Sequence, residues 1–158
     1  EFGADGFNIG LYGRYGGLTG FHAEALFKHD SYDVEFDGLF DGNDVDASST
    51  GIDGAIGYRF AVGVVPSLDV FAGISHVWSD MDGVGAFGFG YDYDDMTSTR
   101  GRLGLRGNFG GMYNPYLALT GYHEFDGDGD VIISNGAFSA PLESTGKGTW
   151  ARLEGGLA

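Results

Sequence analysis

The side chains that could do chemistry in this chain are arginines and carboxylates that alternate with apolar residues or glycine. Arg100, Arg102 and Arg106, for example, are all separated by even spacings. Even spacing places residues on one face of an extended strand, where arginine and glutamate can form hydrogen-bonded ion pairs. The residues predicted to share such a charged face are Arg14, Glu24, Lys28, Arg59, Arg100, Arg102, Arg106, Tyr122, Glu124, Arg152 and Glu154.

Metal and catalytic motifs fit the sequence poorly. Asp126–Asp130 is rich in aspartate and glycine, but an EF-hand loop requires glycine at its sixth position and glutamate at its twelfth, where this chain has Val131 and Ala137. The four histidines show no paired ligand spacing. No nucleophile and base recur at a useful spacing, and the glycine-rich runs lack the lysine of a phosphate loop. We therefore expect no enzyme activity, no metal site and no cofactor.

Length and charge limit the kinds of partner. The chain has 158 residues, which suits one domain, and a net charge of −15 from 23 acidic and 8 basic residues. This balance argues against nucleic-acid binding, which requires lysines and arginines to neutralise phosphates. Thirteen Phe and nine Tyr provide enough apolar surface for a folded protein, and the absence of cysteine excludes disulfides.

The elements that would position the charged residues are runs in which apolar and polar residues alternate. In the run 7–15, the odd-numbered residues are apolar or glycine, and the even-numbered residues include Asn8 and Arg14. Phe71 is an exception, because it is apolar on the otherwise polar face of its run. The predicted strands are 7–15, 21–28, 52–60, 68–75, 100–109, 116–124 and 150–157.

The connections between these strands alternate between short and long. The predicted short turns are at 16–17, near 64–66 and near 110–112, and the predicted long acidic loops are at 37–49, 80–95 and 126–147. Residues 83–95 have a second interpretation, as a strand that continues beyond the membrane as an extracellular ribbon. Outer-membrane barrels show this asymmetry, with short periplasmic turns and long extracellular loops.

The apolar face of the predicted strands has no charged residue in its central part. A charge on a lipid-facing strand position costs about 2–4 kcal/mol at the bilayer midplane, so a bilayer would enforce this absence. The sequence therefore predicts an all-β fold, an antiparallel up-and-down transmembrane β-barrel whose charged face lines the lumen. A water-soluble extracellular β-sandwich, with its charged face outward, stays open as an alternative.

Five stretches carry a resemblance to a known family. They are GIDGAIGYRF at 51–60, SLDVFAGISHV at 67–77, TRGRLGLR at 99–106, PYLALTGYHEFDG at 115–127 and GTWARLEGGLA at 148–158. The order of Gly-Arg-Leu-Gly, then Pro-Tyr, then His-Glu-Phe-Asp-Gly is fairly specific. In these stretches the chain resembles the β-domain, or translocator, of type V secretion autotransporters, and the resemblance covers nearly the whole chain.

The resemblance implies a twelve-stranded barrel in the outer membrane of Gram-negative cells that exports or displays a passenger through its lumen. It implies as partners outer-membrane lipid and lipopolysaccharide, the barrel-assembly machinery, and a passenger or linker segment in the lumen. Only about seven or eight strands are visible, and the chain ends at Gly-Gly-Leu-Ala. We therefore expect residues 1–158 to be a single barrel domain, an incomplete segment that lacks its final C-terminal strand.

Three further interpretations stay open. One is a small outer-membrane barrel with a structural, adhesive or porin role, and another is the soluble module described above. The third is cleavage of the passenger by lumenal carboxylates, as in some autotransporters, but here structural ion pairs are expected instead. The residues expected to form those pairs are Glu24, Glu124, Glu154, Arg102, Arg106 and Arg152.

Overall fold

A computed structural model describes residues 2–36, 43–63, 67–86 and 88–157. This part of the chain consists of strands and turns, and it contains no helix long and apolar enough to cross a bilayer. The strands are β1 (Phe2–Gly16), β2 (Gly20–Phe36), β3 (Asn43–Phe60), β4 (Ser67–Met81), β5 (Val84–Ala86), β6 (Phe89–Tyr93), β7 (Met96–Asn108), β8 (Pro115–Ser134), β9 (Ser139–Thr145) and β10 (Gly148–Leu157).

Within the described residues, all ten strands belong to one antiparallel sheet. Strands β1, β2, β3, β4, β7, β8 and β10 lie side by side in that order, and we call them the wall. Strands β5, β6 and β9, with residues 128–134 of β8, form the extension. The wall strands lie in the order in which they occur along the chain, and each runs antiparallel to its neighbours. The predicted all-β, up-and-down architecture is therefore confirmed.

Most of the residues predicted to form long loops are in strands instead. Residues 43–49 belong to β3, residues 126–134 extend β8, and β5, β6 and β9 account for much of the rest. Glycine, aspartate and serine have low strand propensity, but these residues pair with a neighbouring strand, as Ser48 does with Ser31. The loop prediction is therefore wrong here, while residues 37–42 lie outside the described part of the chain.

Residues 83–95 had two interpretations, a loop or a strand. The structure agrees with the strand, because these residues contain the hairpin β5–β6. Tyr93 in this hairpin pairs with Val131 in β8, so the ribbon joins the main sheet. The prediction of about seven or eight strands is too low, because it did not include the short strands β5, β6 and β9. The seven predicted strands correspond to the wall, and the extension supplies the others.

Short turns lie at one end of the wall, which we call the short-turn end. Gly16 and Gly20 flank the β1–β2 turn with φ angles of 120° and 90°, and Gly110 and Gly111 form the β7–β8 turn with φ angles of 66° and 90°. Glycine adopts these left-handed values without steric cost. Both predicted turns are confirmed, and the third, near 64–66, lies outside the described residues.

The pairing register gives the wall two distinct faces, since directly opposed residues of a ladder share a face. All eleven candidate residues of the sequence analysis lie on one of them, the charged face, as in the pairs Arg14–Glu24 and Arg102–Tyr122. Phe71, the exception in the pattern, also lies there. Its ring covers Gly104, where a Cβ atom would clash with it.

Candidate functional site

The apolar face of the wall is the solvent-exposed one. Ile9, Leu103 and Leu153 are 61%, 65% and 69% exposed, whereas Asp69 and Glu124 on the charged face are only 5% and 4% exposed. A water-soluble protein has the opposite arrangement, because exposing apolar surface to water costs about 25 cal/mol per Å². The water-soluble sandwich with its charged face outward is therefore inconsistent with the structure.

Exposed aromatic residues border the apolar face at both ends. Tyr15, Tyr58 and Phe60 lie near the short-turn end, and Trp78 and Phe125 lie towards the other end. Aromatic rings with this distribution are typical of the girdles that mark the two interfaces of a membrane-embedded sheet.

The charged face lines a half-open cavity of about 710 Å³ near the short-turn end. Side chains from all seven wall strands line this cavity, including Arg14 from β1 and Glu154 from β10. The wall is therefore curved so strongly that its first and last strands contribute to the same space. A flat sheet could not bring these two strands together.

One cluster in the cavity joins three neighbouring strands. The Asp69 carboxylate in β4 accepts hydrogen bonds from Arg59 in β3, at 2.6 and 3.1 Å, and lies 2.7 Å from His22 Nε2 in β2. The His22 ring reaches Asp69 by crossing β3 at Gly57, where a Cβ atom would lie 2.5 Å from the ring. The absence of a side chain at Gly57 therefore makes the cluster possible.

A second cluster also depends on a side chain that crosses a neighbouring strand at a glycine. The guanidinium of Arg102 in β7 forms a bidentate ion pair with Asp53 in β3, and one of its two hydrogen bonds is 2.8 Å long. The side chain crosses β4 at Gly73, where a Cβ atom would lie 2.9 Å from the guanidinium carbon. Bidentate pairing fixes the geometry of both partners.

A third cluster surrounds the buried Glu124 carboxylate in β8. It accepts hydrogen bonds from Ser98 at 2.8 Å and from Arg100 at 2.9 Å, both in β7. The Arg100 guanidinium lies 5.1 Å from the centre of the Trp150 ring, which stacks on Tyr122. This cluster ties β7, β8 and β10 together.

Five of the six remaining candidate residues have side-chain partners close to them in the sheet, and the sixth, Arg14, lines the cavity opposite Glu24. Arg152 forms an ion pair with Glu154 in the same strand at 2.7 Å, and Lys28 does so with Asp30 at 2.7 Å. The Arg106 guanidinium donates a hydrogen bond to Asn108 and lies over the Tyr116 ring, and Tyr12 donates a hydrogen bond to Glu24.

Four of the six residues expected to form ion pairs do so, whereas Glu24 and Arg106 are hydrogen-bonded to the neutral side chains of Tyr12 and Asn108. Glu154 pairs with Arg152 as expected, but Glu124 pairs with Arg100, and Arg102 pairs with Asp53. The reason is that the register, which the sequence does not give, decides which residues are opposite one another.

Sequence reasoning missed three titratable members of these clusters, His22, Asp53 and Asp69. A signal for them existed, because each has the parity of the charged face within its own run. Their partners could not be inferred, since two of the three contacts span an intervening strand at a glycine.

The three clusters have the geometry of ion pairs that link strands. His22 beside Asp69 is the arrangement of a base and its orienting group, but both groups are buried, and Arg59 also binds the carboxylate. In the described part of the chain, no serine or threonine hydroxyl is hydrogen-bonded to His22. No group of three or more potential metal ligands occurs among the residues described.

A curved antiparallel wall with an exposed apolar face, aromatic girdles and an enclosed charged face defines the class of outer-membrane β-barrel proteins. The model of the autotransporter beta-domain family matches residues 1–158, the whole sequence, so the chain belongs to that family. This is a family of translocators, not of enzymes, and it belongs to the outer membrane of Gram-negative bacteria. Among curated proteins, none matches the chain.

Proposed function

We propose that this chain forms the wall of a type V translocator, that its apolar face lies in outer-membrane lipid and lipopolysaccharide, and that its charged face lines the route of an exported passenger segment. The observation that carries the proposal is that the polarity of the wall is the reverse of that of a water-soluble sheet. Leucines and isoleucines of the apolar face are exposed, whereas Asp69 and Glu124 of the charged face are buried. The charged face lines a cavity of about 710 Å³ to which the first and last wall strands both contribute.

The charges around the cavity suit passage of a polypeptide. Three arginines and three carboxylates line the cavity, so its formal charges balance; they are Arg14, Arg59, Arg106, Glu24, Asp69 and Glu154. A lining with balanced charges offers hydrogen-bonding surface without a net charge that would hold a passing segment tightly. Strands with an exposed apolar face also require help to reach the membrane, which agrees with the barrel-assembly machinery as a partner.

Site-specific cross-linking in cells tests the proposed route. Thr120 and Leu119 are adjacent in β8 but lie on opposite faces, with exposures of 2% and 52%. A photo-reactive phenylalanine analogue at position 120 should form adducts with the exported segment of the full gene product. The same analogue at position 119, the matched control, should not form them.

The outcomes separate the candidate functions. Adducts to an exported segment from position 120 alone support the translocator. No such adduct from either position, in a protein whose gel mobility still shifts on boiling, would overturn the route and favour a barrel with a structural, adhesive or porin role. The absence of a boiling shift would overturn the membrane barrel itself.

A further inference from the structure

Three histidines on the apolar face repeat one local structure. Each imidazole Nδ1 is hydrogen-bonded to a threonine Oγ1 on the adjacent strand, and each ring contacts an aromatic ring. We call the three pairs the histidine belt: His29–Thr50 at 2.8 Å beside Phe7, His76–Thr99 at 2.6 Å beside Trp78, and His123–Thr149 at 2.7 Å beside Phe125.

The belt lies at one height above the short-turn end. His29, His76 and His123 are the tenth, tenth and ninth residues of β2, β4 and β8. Nine residues of strand rise about 30 Å, and a tilt of about 40° reduces this rise to about 23 Å, close to the height of about 25 Å for the apolar band of a barrel. The belt therefore lies where the hydrocarbon ends.

The distribution of charge marks the same boundary. Between the belt and the short-turn end, no apolar-face residue of the described wall strands is charged. Beyond the belt, the same face carries aspartates. They include Asp5, Asp33, Asp46, Asp80, Asp126 and Asp128.

Each His–Thr pair has two hydrogen-bond donors, the N–H of the neutral imidazole and the threonine O–H, and its internal hydrogen bond uses only one of them. When the threonine hydroxyl donates to Nδ1, the proton of the neutral ring is on Nε2. Among the described residues, none accepts a hydrogen bond from Nε2 of the three belt histidines. Hydrocarbon offers no acceptor, and a donor without a partner is costly there.

Two lipid groups lie close to this depth, the acyl-ester carbonyl and the headgroup phosphate. The aspartates beyond the belt repel phosphate but not an uncharged carbonyl oxygen. We propose that the histidine belt binds the acyl-ester carbonyl oxygens of surrounding membrane lipids through Nε2–H. This inference rests on the proposed placement of the apolar face in the outer membrane.

Trp78 provides a reporter, because its ring centre lies 4.1 Å from that of His76 on the apolar face. Trp150, the other tryptophan, lies on the charged face. The full gene product is folded into vesicles that mix an ester-linked and an ether-linked phosphatidylcholine of equal chain length, with bromine on the chains of one lipid at a time. Quenching of Trp78 then gives the relative affinity for the two lipids.

We expect the wild-type protein to prefer the ester lipid at Trp78 by about two- to tenfold, the range for one net hydrogen bond. His76→Phe should abolish the preference. His76→Gln, whose amide can donate from a similar position, should retain part of it. His29→Phe, the matched control in β2, which β3 separates from β4, should leave the preference at Trp78 unchanged.

Replacing Trp78 by Phe and placing tryptophan at Phe7 or Phe125 moves the reporter to His29 or His123, with the same expected preference. Equal affinity for the two lipids in the wild type, or equal preference in wild type and His76→Phe, would overturn the belt as a carbonyl site. A preference that instead follows added phosphatidic acid would assign the belt to phosphate. Failure of either brominated lipid to quench Trp78 would overturn the placement of this face in lipid.

Discussion

Glycines decide where a charged side chain can reach past its neighbouring strand. At Gly57 and Gly73 the missing side chain leaves room for His22 and Arg102 to cross β3 and β4. A high glycine content is a burden for a strand, because glycine loses the most conformational freedom on folding. In this wall the loss is offset where a glycine allows an ion pair between strands that are not adjacent.

Gly73→Ala should break the Arg102–Asp53 pair. The new Cβ atom would lie 2.9 Å from both the guanidinium and the Gly54 carbonyl oxygen, so the side chain of Arg102 must move away. We expect a loss of about 1–3 kcal/mol in the free energy of unfolding, because the half-buried Asp53 loses its partner. Denaturant unfolding in detergent micelles measures this loss.

Gly13→Ala is the matched control, since a Cβ atom at that position has no neighbour within 4 Å. Its effect should stay within about 0.5 kcal/mol. Equal losses for the two variants would show that strand propensity, and not the crossing of Arg102, explains the glycine at position 73.

At the scale of the element, alternation in the sequence is sufficient to predict the wall but not the extension. The wall strands have strong apolar and polar alternation, so their existence and faces follow from the sequence. Residues such as 43–49 and 128–134 have a composition typical of loops, and they are strands because neighbouring strands satisfy their backbone groups. That pairing depends on the order of the sheet, which local sequence does not contain.

The segment that joins β4 to the extension should respond to pH through Asp80, near the end of β4. A hydrogen bond with Asp95, together with repulsion from Asp95 and Asp82, raises the pKa of the Asp80 carboxyl above its ordinary value of 3.8. A raised folded-state pKa contributes stability that is fully present below the ordinary pKa and is lost as the pH rises through the folded-state pKa. The segment around Asp80 should therefore open more readily at neutral than at acidic pH.

Hydrogen exchange of peptides covering residues 79–96, corrected for intrinsic rates between pH 4 and pH 7.5, measures this opening. Protection should fall with rising pH in the wild type. Asp80→Asn removes the titrating group, so its protection should depend less on pH. The same pH profile in both proteins would contradict the role of Asp80.

At the scale of the whole molecule, the two faces of the wall assign it to a membrane more firmly than its composition does. A net charge of −15 and 20% charged residues are compatible with a water-soluble protein. The register places the basic residues of the wall on the charged face and leaves the apolar face of its described strands uncharged up to the histidine belt. A charged substitution on each face can therefore test which of the two faces lies in lipid.

Leu11 and Tyr12 are neighbours in β1 on opposite faces, so they form a matched pair for this measurement. Leu11→Arg places a charge on the apolar face near the middle of the band and should cost about 2–4 kcal/mol of unfolding free energy in phosphatidylcholine vesicles. Tyr12→Arg places the same charge opposite Leu26 and close to Glu24, which already accepts a hydrogen bond from Tyr12, and should cost less than about 1 kcal/mol. If Tyr12→Arg were the more damaging of the two, the charged face would be the one that meets the surroundings, and the wall would be a water-soluble sheet.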